Sequence, residues 1–327
     1  MKGSRRSALA VCIPMALLLA SCRSSNPTSN SIANVLSPAP TSHGGPATSR
    51  LDDVVFLHHS VGRNLIEKGN LRQLLTNRGY QLYDQGYNEE DGLHVPDGSR
   101  ADYTYDVPND NTDPDGLAAI FSQPVEATSL GLNGAPSNTL SGLLRHNVII
   151  FKSCYPVTQI ESDADLERYK TYYLQIRATI DRYPDKVFIA LTPPPQDPGN
   201  TNREAAARAR TFANWMKSSQ FVEGHPNLFV VDFFDSLAEN DPNRSDYNTL
   251  RVGFRDDAPG FRAKLARPLM AAVDFAGVGG NMGRLWMPGD SHPNVAANRA
   301  VAPILTDAID AAARGFSAEL AQAAKSL

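Results

Sequence analysis

Apolar and polar positions along this chain fall into short units that alternate in period. Asp53-Val54-Val55-Phe56-Leu57 is a continuous apolar run of strand length, and after His58-His59-Ser60 a helical spacing follows through Leu65, Ile66, Leu71, Leu74 and Leu75. Gln81 to Tyr87 reads as a second strand. Residues 88–138 are rich in Asp, Asn, Gly and Pro and form a loop long enough to carry function. Regular spacing returns with a helix at Leu140 to Leu144 and the strand Val148-Ile149-Ile150-Phe151, β-branched and fully apolar. A long helix from Asp163 to Tyr183 follows, with Leu166, Tyr169, Tyr173, Ile176 and Ile180 on one face and Asp163 as its cap. The series closes with a strand at Lys186 to Leu191, a helix at Glu204 to Met216, a strand at Leu228 to Phe233 and a helix at Ala296 to Ala312. Strands that alternate with helices pair in parallel through right-handed crossovers. The predicted fold is therefore a three-layer α/β/α sandwich with a mainly parallel sheet of about five strands, and its ligands belong beyond the carboxyl ends of those strands.

The first fifty residues follow a different pattern. A positive start, Lys2 with Arg5 and Arg6, precedes an apolar run from Ala8 to Ala20 that Pro14 interrupts. That run falls short of the roughly 20 residues a spanning helix needs, so residues 1–21 read as a cleaved signal peptide. Leu19-Ala20-Ser21-Cys22 resembles a bacterial lipobox, which implies that Cys22 becomes the lipidated first residue. Each buried methylene of the acyl chains would then contribute about 0.8 kcal/mol of membrane affinity. Residues 22–50 hold almost no large apolar side chains and read as a flexible tether. Residues 51–327 are of a size that fits one domain.

Charge and cysteine content narrow the classes. The net charge of −4, with no basic run in the mature part, argues against nucleic acid as a partner. Of three cysteines only Cys154 stays in the folded part, so no internal disulfide is expected. At the end of an apolar strand it reads as a small buried hydrophobe.

Three segments stand where such a fold places chemistry. In His58-His59-Ser60-Val61-Gly62-Arg63-Asn64 a serine leaves a buried strand and enters a helix, close to N–H groups that can hold an oxyanion. Gly62 would let the backbone come near a substrate. In Gly289-Asp290-Ser291-His292-Pro293-Asn294 a histidine and an aspartate precede the last helix. A serine needs a base, and the base needs a partner that fixes its tautomer; Ser60, His292 and Asp290 supply those roles. Lys152-Ser153-Cys154-Tyr155-Pro156 ends the central strand and faces the same crevice.

These motifs resemble the first and last blocks of the SGNH, or GDSL-like, hydrolases, in a divergent subgroup with His-His-Ser-x-Gly in place of Gly-Asp-Ser and Asp-Ser-His-Pro-Asn at the end. The resemblance spans about Asp52 to Ala312 in the order of elements. It implies the flavodoxin-like fold of that superfamily and hydrolysis of acyl esters, commonly acetyl or other short acyl groups on carbohydrate or lipid, without a cofactor. The chain departs from the family in three places. Asp290 precedes His292 by two residues where the family has three, the central Gly-x-Asn-Asp block is absent, and the second-block glycine has only Asn133-Gly134 as a counterpart. The oxyanion would then be held by Asn64 or by backbone N–H groups near Ser60 and Cys154, with His59 lining the site.

Other readings compete at particular residues. Adjacent strand positions point to opposite faces, so His58 and His59 are not expected to share a metal ion, and no metal is assigned. Asn111-Thr112-Asp113-Pro114-Asp115-Gly116 matches the front of a calcium loop, but the twelfth position is Ser122, which favours a solvated turn. Tyr87, Tyr103 and Tyr105 are candidates to stack on a sugar, Thr192 to Pro195 ends a strand beside the site, and Arg251 and Arg255 are read as surface ion-pair partners. The same serine could transfer an acyl group to an envelope polysaccharide, and the fold could serve as a carbohydrate-binding lipoprotein without turnover.

Overall fold

The computed structural model describes residues 51–108, 112–125, 135–255 and 291–325. Residues 1–50, read above as a signal peptide, a lipidation site at Cys22 and a tether, lie outside them.

Six strands form one sheet: β1 (Asp53–Leu57), β2 (Gln81–Gln85), β3 (Leu93–His94), β4 (Val148–Lys152), β5 (Val187–Leu191) and β6 (Leu228–Val231), in the order β3-β2-β1-β4-β5-β6. All neighbours pair in parallel except β2 with β3. The five parallel strands have the flavodoxin-like order. The sixth strand, β3, is two residues long and lies inside the segment read as loop.

Alternation along each strand builds the three layers, because successive side chains face opposite sides of the sheet. Val55, Leu57, Ile149, Phe151 and Phe188 pack against α3 (Pro114–Phe121), α4 (Thr139–Leu143), α5 (Asp163–Ile180) and α6 (Arg203–Met216). Val54, Phe56, Val148, Ile150 and Ile189 pack against α1 (Ser60–Glu67), α2 (Leu71–Asn77) and the C-terminal helix Val295–Lys325. Each such side chain fully buried contributes about 1.5–3 kcal/mol. Two short helices, α7 (Ser219–Val222) and α8 (Phe233–Leu237), flank β6, and the C-terminal helix is α9.

Several local expectations are corrected. The helix after β1 is two helices, because Asn70 adopts a left-handed conformation (φ 63°) and turns the chain between α1 and α2. The cap of α5 is Ser162, whose Oγ accepts from the Asp165 N–H at 3.1 Å, rather than Asp163. Helix α3 begins inside the calcium-like sequence: Pro114 occupies its first turn, where a missing N–H costs nothing, and Leu117, Ile120 and Phe121 are buried. The segment is therefore the start of a core helix and not a solvated turn. Tyr105 is not a stacking platform either, because it is 2% exposed and its hydroxyl lies 2.6 Å from His146 Nε2.

Candidate active site

Strands β1 and β4 are neighbours at the centre of the sheet, and the chain leaves them in opposite directions, β1 toward β2 and β4 toward β5. At such a switch point the connections diverge and leave a crevice beyond the strand ends. Ser60 opens α1 directly after β1, and Cys154 and Tyr155 follow β4. His292 arrives on the segment that enters α9. Its Nε2 lies 2.6 Å from Ser60 Oγ, across 232 residues of sequence, and both side chains are half-buried. The hydroxyl is thus placed to donate to an imidazole nitrogen that faces the crevice.

The local backbone explains the position of the serine. His59 is extended (φ −124°, ψ −167°) and offers no side-chain cap to α1. The first bond of the helix runs from Arg63 N–H to His59 carbonyl at 3.0 Å. The N–H groups of Ser60, Val61 and Gly62 precede it and have no carbonyl four residues back within the helix. They cluster beside the Ser60 hydroxyl at the positive end of the helix dipole.

His292 is held from three sides. Ser291, fully buried, accepts from the Asp197 N–H at 2.9 Å and from Asn200 Nδ2 at 3.1 Å. Asn294 donates through Nδ2 to the Arg255 carbonyl at 2.8 Å, while its Oδ1 caps α9 by accepting from Ala297 N–H at 3.0 Å. The ring of Tyr155 meets the His292 imidazole edge-on, with centroids 5.1 Å apart.

The remaining predicted residues divide. His59 is buried, with its ring centroid 5.3 Å from that of Tyr87. Tyr87 is close to Cys154, and its phenol is pushed up to about 12 by burial first and then by Cys154, Glu90 and Asp91. Tyr87 therefore packs on His59 just before α1, unlike Tyr105. Asn64 is buried one turn beyond Ser60 on α1. At Gly62 a Cβ would stand 2.3 Å from the Cβ of His58, so the absent side chain makes room for the protein's own packing beneath α1. The backbone N–H of Cys154 is also committed, donating to the Thr112 carbonyl at 3.1 Å, and this removes it as an oxyanion donor. Asp290, Asn133 and Gly134 lie outside the described residues.

Sequence reasoning missed the buried polar group behind α1. His58 and Asp84 are 1% and 3% exposed, with His58 Nε2 3.1 Å from Asp84 Oδ2. Asp84 also contacts Arg72 and, at 3.2 Å, His94 Nδ1. An aspartate at a buried position of strand β2 was the available signal. Lys152, at the end of β4, is fully buried as well, and burial pushes its ammonium down from the usual lysine range, with the nearby Cys154 opposing. Arg255 pairs with Asp246 at 2.6 Å, whereas Arg251 donates to the Asp235 and Ser236 carbonyls in α8. No family model, curated protein or solved structure matches this chain.

Proposed function

We propose that this chain is a serine hydrolase of the SGNH type that cleaves short acyl esters, held at the bacterial cell envelope by lipid on Cys22. The observation that carries the reading is the 2.6 Å contact between Ser60 Oγ and His292 Nε2 at the start of a helix. A nucleophile, its base and a set of N–H donors then share one end of the crevice.

In the proposed reaction Ser60 Oγ attacks the acyl carbonyl while its proton passes to His292 Nε2. The negative charge that develops on the carbonyl oxygen is met by the N–H groups of Ser60 and Gly62 with the Asn64 amide. One such donor typically lowers the barrier by about 3 kcal/mol. His292 then gives the proton to the departing alkoxide, and water repeats the sequence on the acyl-enzyme. Asp290 is assigned to orient His292 through the other ring nitrogen. Tyr155, edge-on to His292, and Tyr87, packed on His59, are assigned to the acyl-binding side.

The test is hydrolysis of a short-chain aryl acetate by the purified chain, beside Ser60→Ala and His292→Ala. Turnover abolished in both variants supports the reading. Turnover indifferent to Ser60 removes it. Product analysis with a sugar acceptor in place of water separates hydrolysis from acyl transfer.

A further inference from the structure

The turn that presents Ser60 rests on a side chain that no step of hydrolysis uses. His58 continues the inward parity of Val54 and Phe56, so it points beneath α1 rather than into the crevice. Its Nε2 lies 3.1 Å from Asp84 Oδ2 and its Nδ1 lies 3.0 Å from the His59 carbonyl oxygen. A carboxylate and a carbonyl only accept, so each contact requires an N–H on the ring, and the two together require the imidazolium form. Asp84 supplies the matching charge and is itself fixed by Arg72, which also donates to the Val95 carbonyl at 3.0 Å.

The His59 carbonyl held by His58 is the one that starts α1, since it also accepts the Arg63 N–H at 3.0 Å. From above, Gly62 closes on the same imidazole: a Cβ built there would lie 3.0 Å from His58 Cγ as well as 2.3 Å from its Cβ. His58 is therefore enclosed by the strand end, by Asp84 and by the first turn of the helix that carries the nucleophile.

We propose that His58 is a positioning residue for Ser60, acting as a buried imidazolium clamped between Asp84 and the His59 carbonyl. The proposal rests on the serine-hydrolase reading. It differs from a general structural role in fixing a protonation state and in acting on the reactivity of one hydroxyl. A misplacement of about 1 Å at a reacting group costs on the order of 10²-fold in rate.

The experiment has two arms on the full-length chain. In the first, histidine labelled with ¹⁵N is read by NMR at neutral pH. One imidazole with both nitrogens protonated and slow to exchange, lost in His58→Gln, is the expected result; a neutral tautomer at His58 overturns the proposal. In the second, Ser60 is titrated with a fluorophosphonate and with aryl acetate. His58→Gln is expected to lose about 10²-fold in kcat and in labelling rate with KM near that of the parent. His94→Gln, which shares Asp84 but does not touch His59, is expected to keep both the imidazolium signal and the rate. A folded His58→Gln that labels at the parental rate sinks the positioning role while leaving Ser60 as nucleophile. A parent whose Ser60 resists the reagent removes the hydrolase reading, and the positioning role with it. If His58→Gln does not fold, Asp84→Asn is the second variant: it should convert His58 to a neutral tautomer and slow labelling, and unchanged labelling overturns the clamp.

Discussion

The two ends of the sheet carry the same kind of hydroxyl–imidazole contact in different surroundings. At the carboxyl ends, Ser60 Oγ meets His292 Nε2 at 2.6 Å. At the amino ends, Tyr105 OH meets His146 Nε2 at 2.6 Å, and His146 Nδ1 meets Asp53 Oδ1 at 2.6 Å. The amino end thus displays a complete hydroxyl–histidine–carboxylate line, yet Tyr105 and His146 are 2% and 4% exposed and no substrate can reach the hydroxyl. Burial, assisted by neighbouring Tyr103, Asp53 and Tyr83 against an opposing Arg145, pushes the Tyr105 phenol far up, so it stays a neutral donor. Hydrogen-bond order alone therefore does not define a nucleophile. What separates the two is access to the crevice and a helix N-terminus beside the oxygen.

Deleting one hydroxyl at each end gives the largest contrast. Ser60→Ala is expected to lower kcat on an aryl acetate by about 10⁴-fold or more. Tyr105→Phe is expected to leave turnover unchanged while lowering stability in a urea titration by about 1–3 kcal/mol, since a buried nitrogen of His146 loses its partner. If both variants kept the rate, the crevice would have no claim over the amino end.

The next effect lies at the carboxyl ends, behind α1, in the buried ion cluster at Asp84. Removing one partner of a buried pair leaves the other charge uncompensated, so Asp84→Ala is expected to cost about 3–5 kcal/mol in chemical denaturation. The cluster also predicts the acid limb of stability. Burial pushes the Asp84 carboxyl up, but His58, Arg72 and His94 outweigh it and hold the folded-state value below the ordinary 3.8. A carboxyl depressed in the folded state contributes its stability above the unfolded value and loses it as pH falls through the folded one. The parent should therefore lose stability below pH 3.8, and Asp84→Asn should lose less over that interval. Equal acid limbs in the two chains would mean that other carboxylates set the slope.

Much of this arrangement was legible in the sequence, and the exceptions share a cause. Four of the five parallel strands announce themselves as apolar runs because both of their faces are covered, whereas β2 is Gln-Leu-Tyr-Asp-Gln. Ser60 and His292 could be singled out because Ser60 stands where an apolar strand passes into a helix and His292 stands just before the last helix. Strand β3 was invisible because two residues cannot display a period, and α3 was hidden by Pro114 and Gly116 ahead of Leu117, Ile120 and Phe121. The commitment of the Cys154 N–H to Thr112 and the packing of Gly62 on His58 are tertiary facts. They depend on which loop folds over which strand end, and no local pattern encodes that.

Gly62 offers a further contrast between substrate approach and internal packing. Ala at this position would press its Cβ to 2.3 Å from that of His58, a contact that forces a shift of side chain or helix. Gly62→Ala is expected to destabilise the chain by about 1–3 kcal/mol, the usual cost of overpacking. A variant of parental stability with a raised KM would mean that the missing side chain serves substrate rather than packing.

The smallest expected signal is spectroscopic and distinguishes the two ends by titration. An ordinary phenol ionises at 10.0, whereas Tyr87 beside His59 is pushed up to about 12 and Tyr105 at the amino end is pushed up further, in both cases by burial first. A group whose folded-state value is raised leaves stability intact below its unfolded value, and the loss begins as pH climbs past it. Alkaline titration of the folded chain, followed by phenolate absorbance, should therefore fall short of the amplitude of the urea-unfolded chain near pH 10, with the remainder appearing as the fold opens. Tyr105→Phe should reduce that late amplitude and leave the early one untouched. An early amplitude that drops instead would mean that Tyr105 titrates like an exposed phenol, and the amino-end line of hydroxyl, histidine and carboxylate would then be open to solvent and a competitor for the chemistry assigned to Ser60.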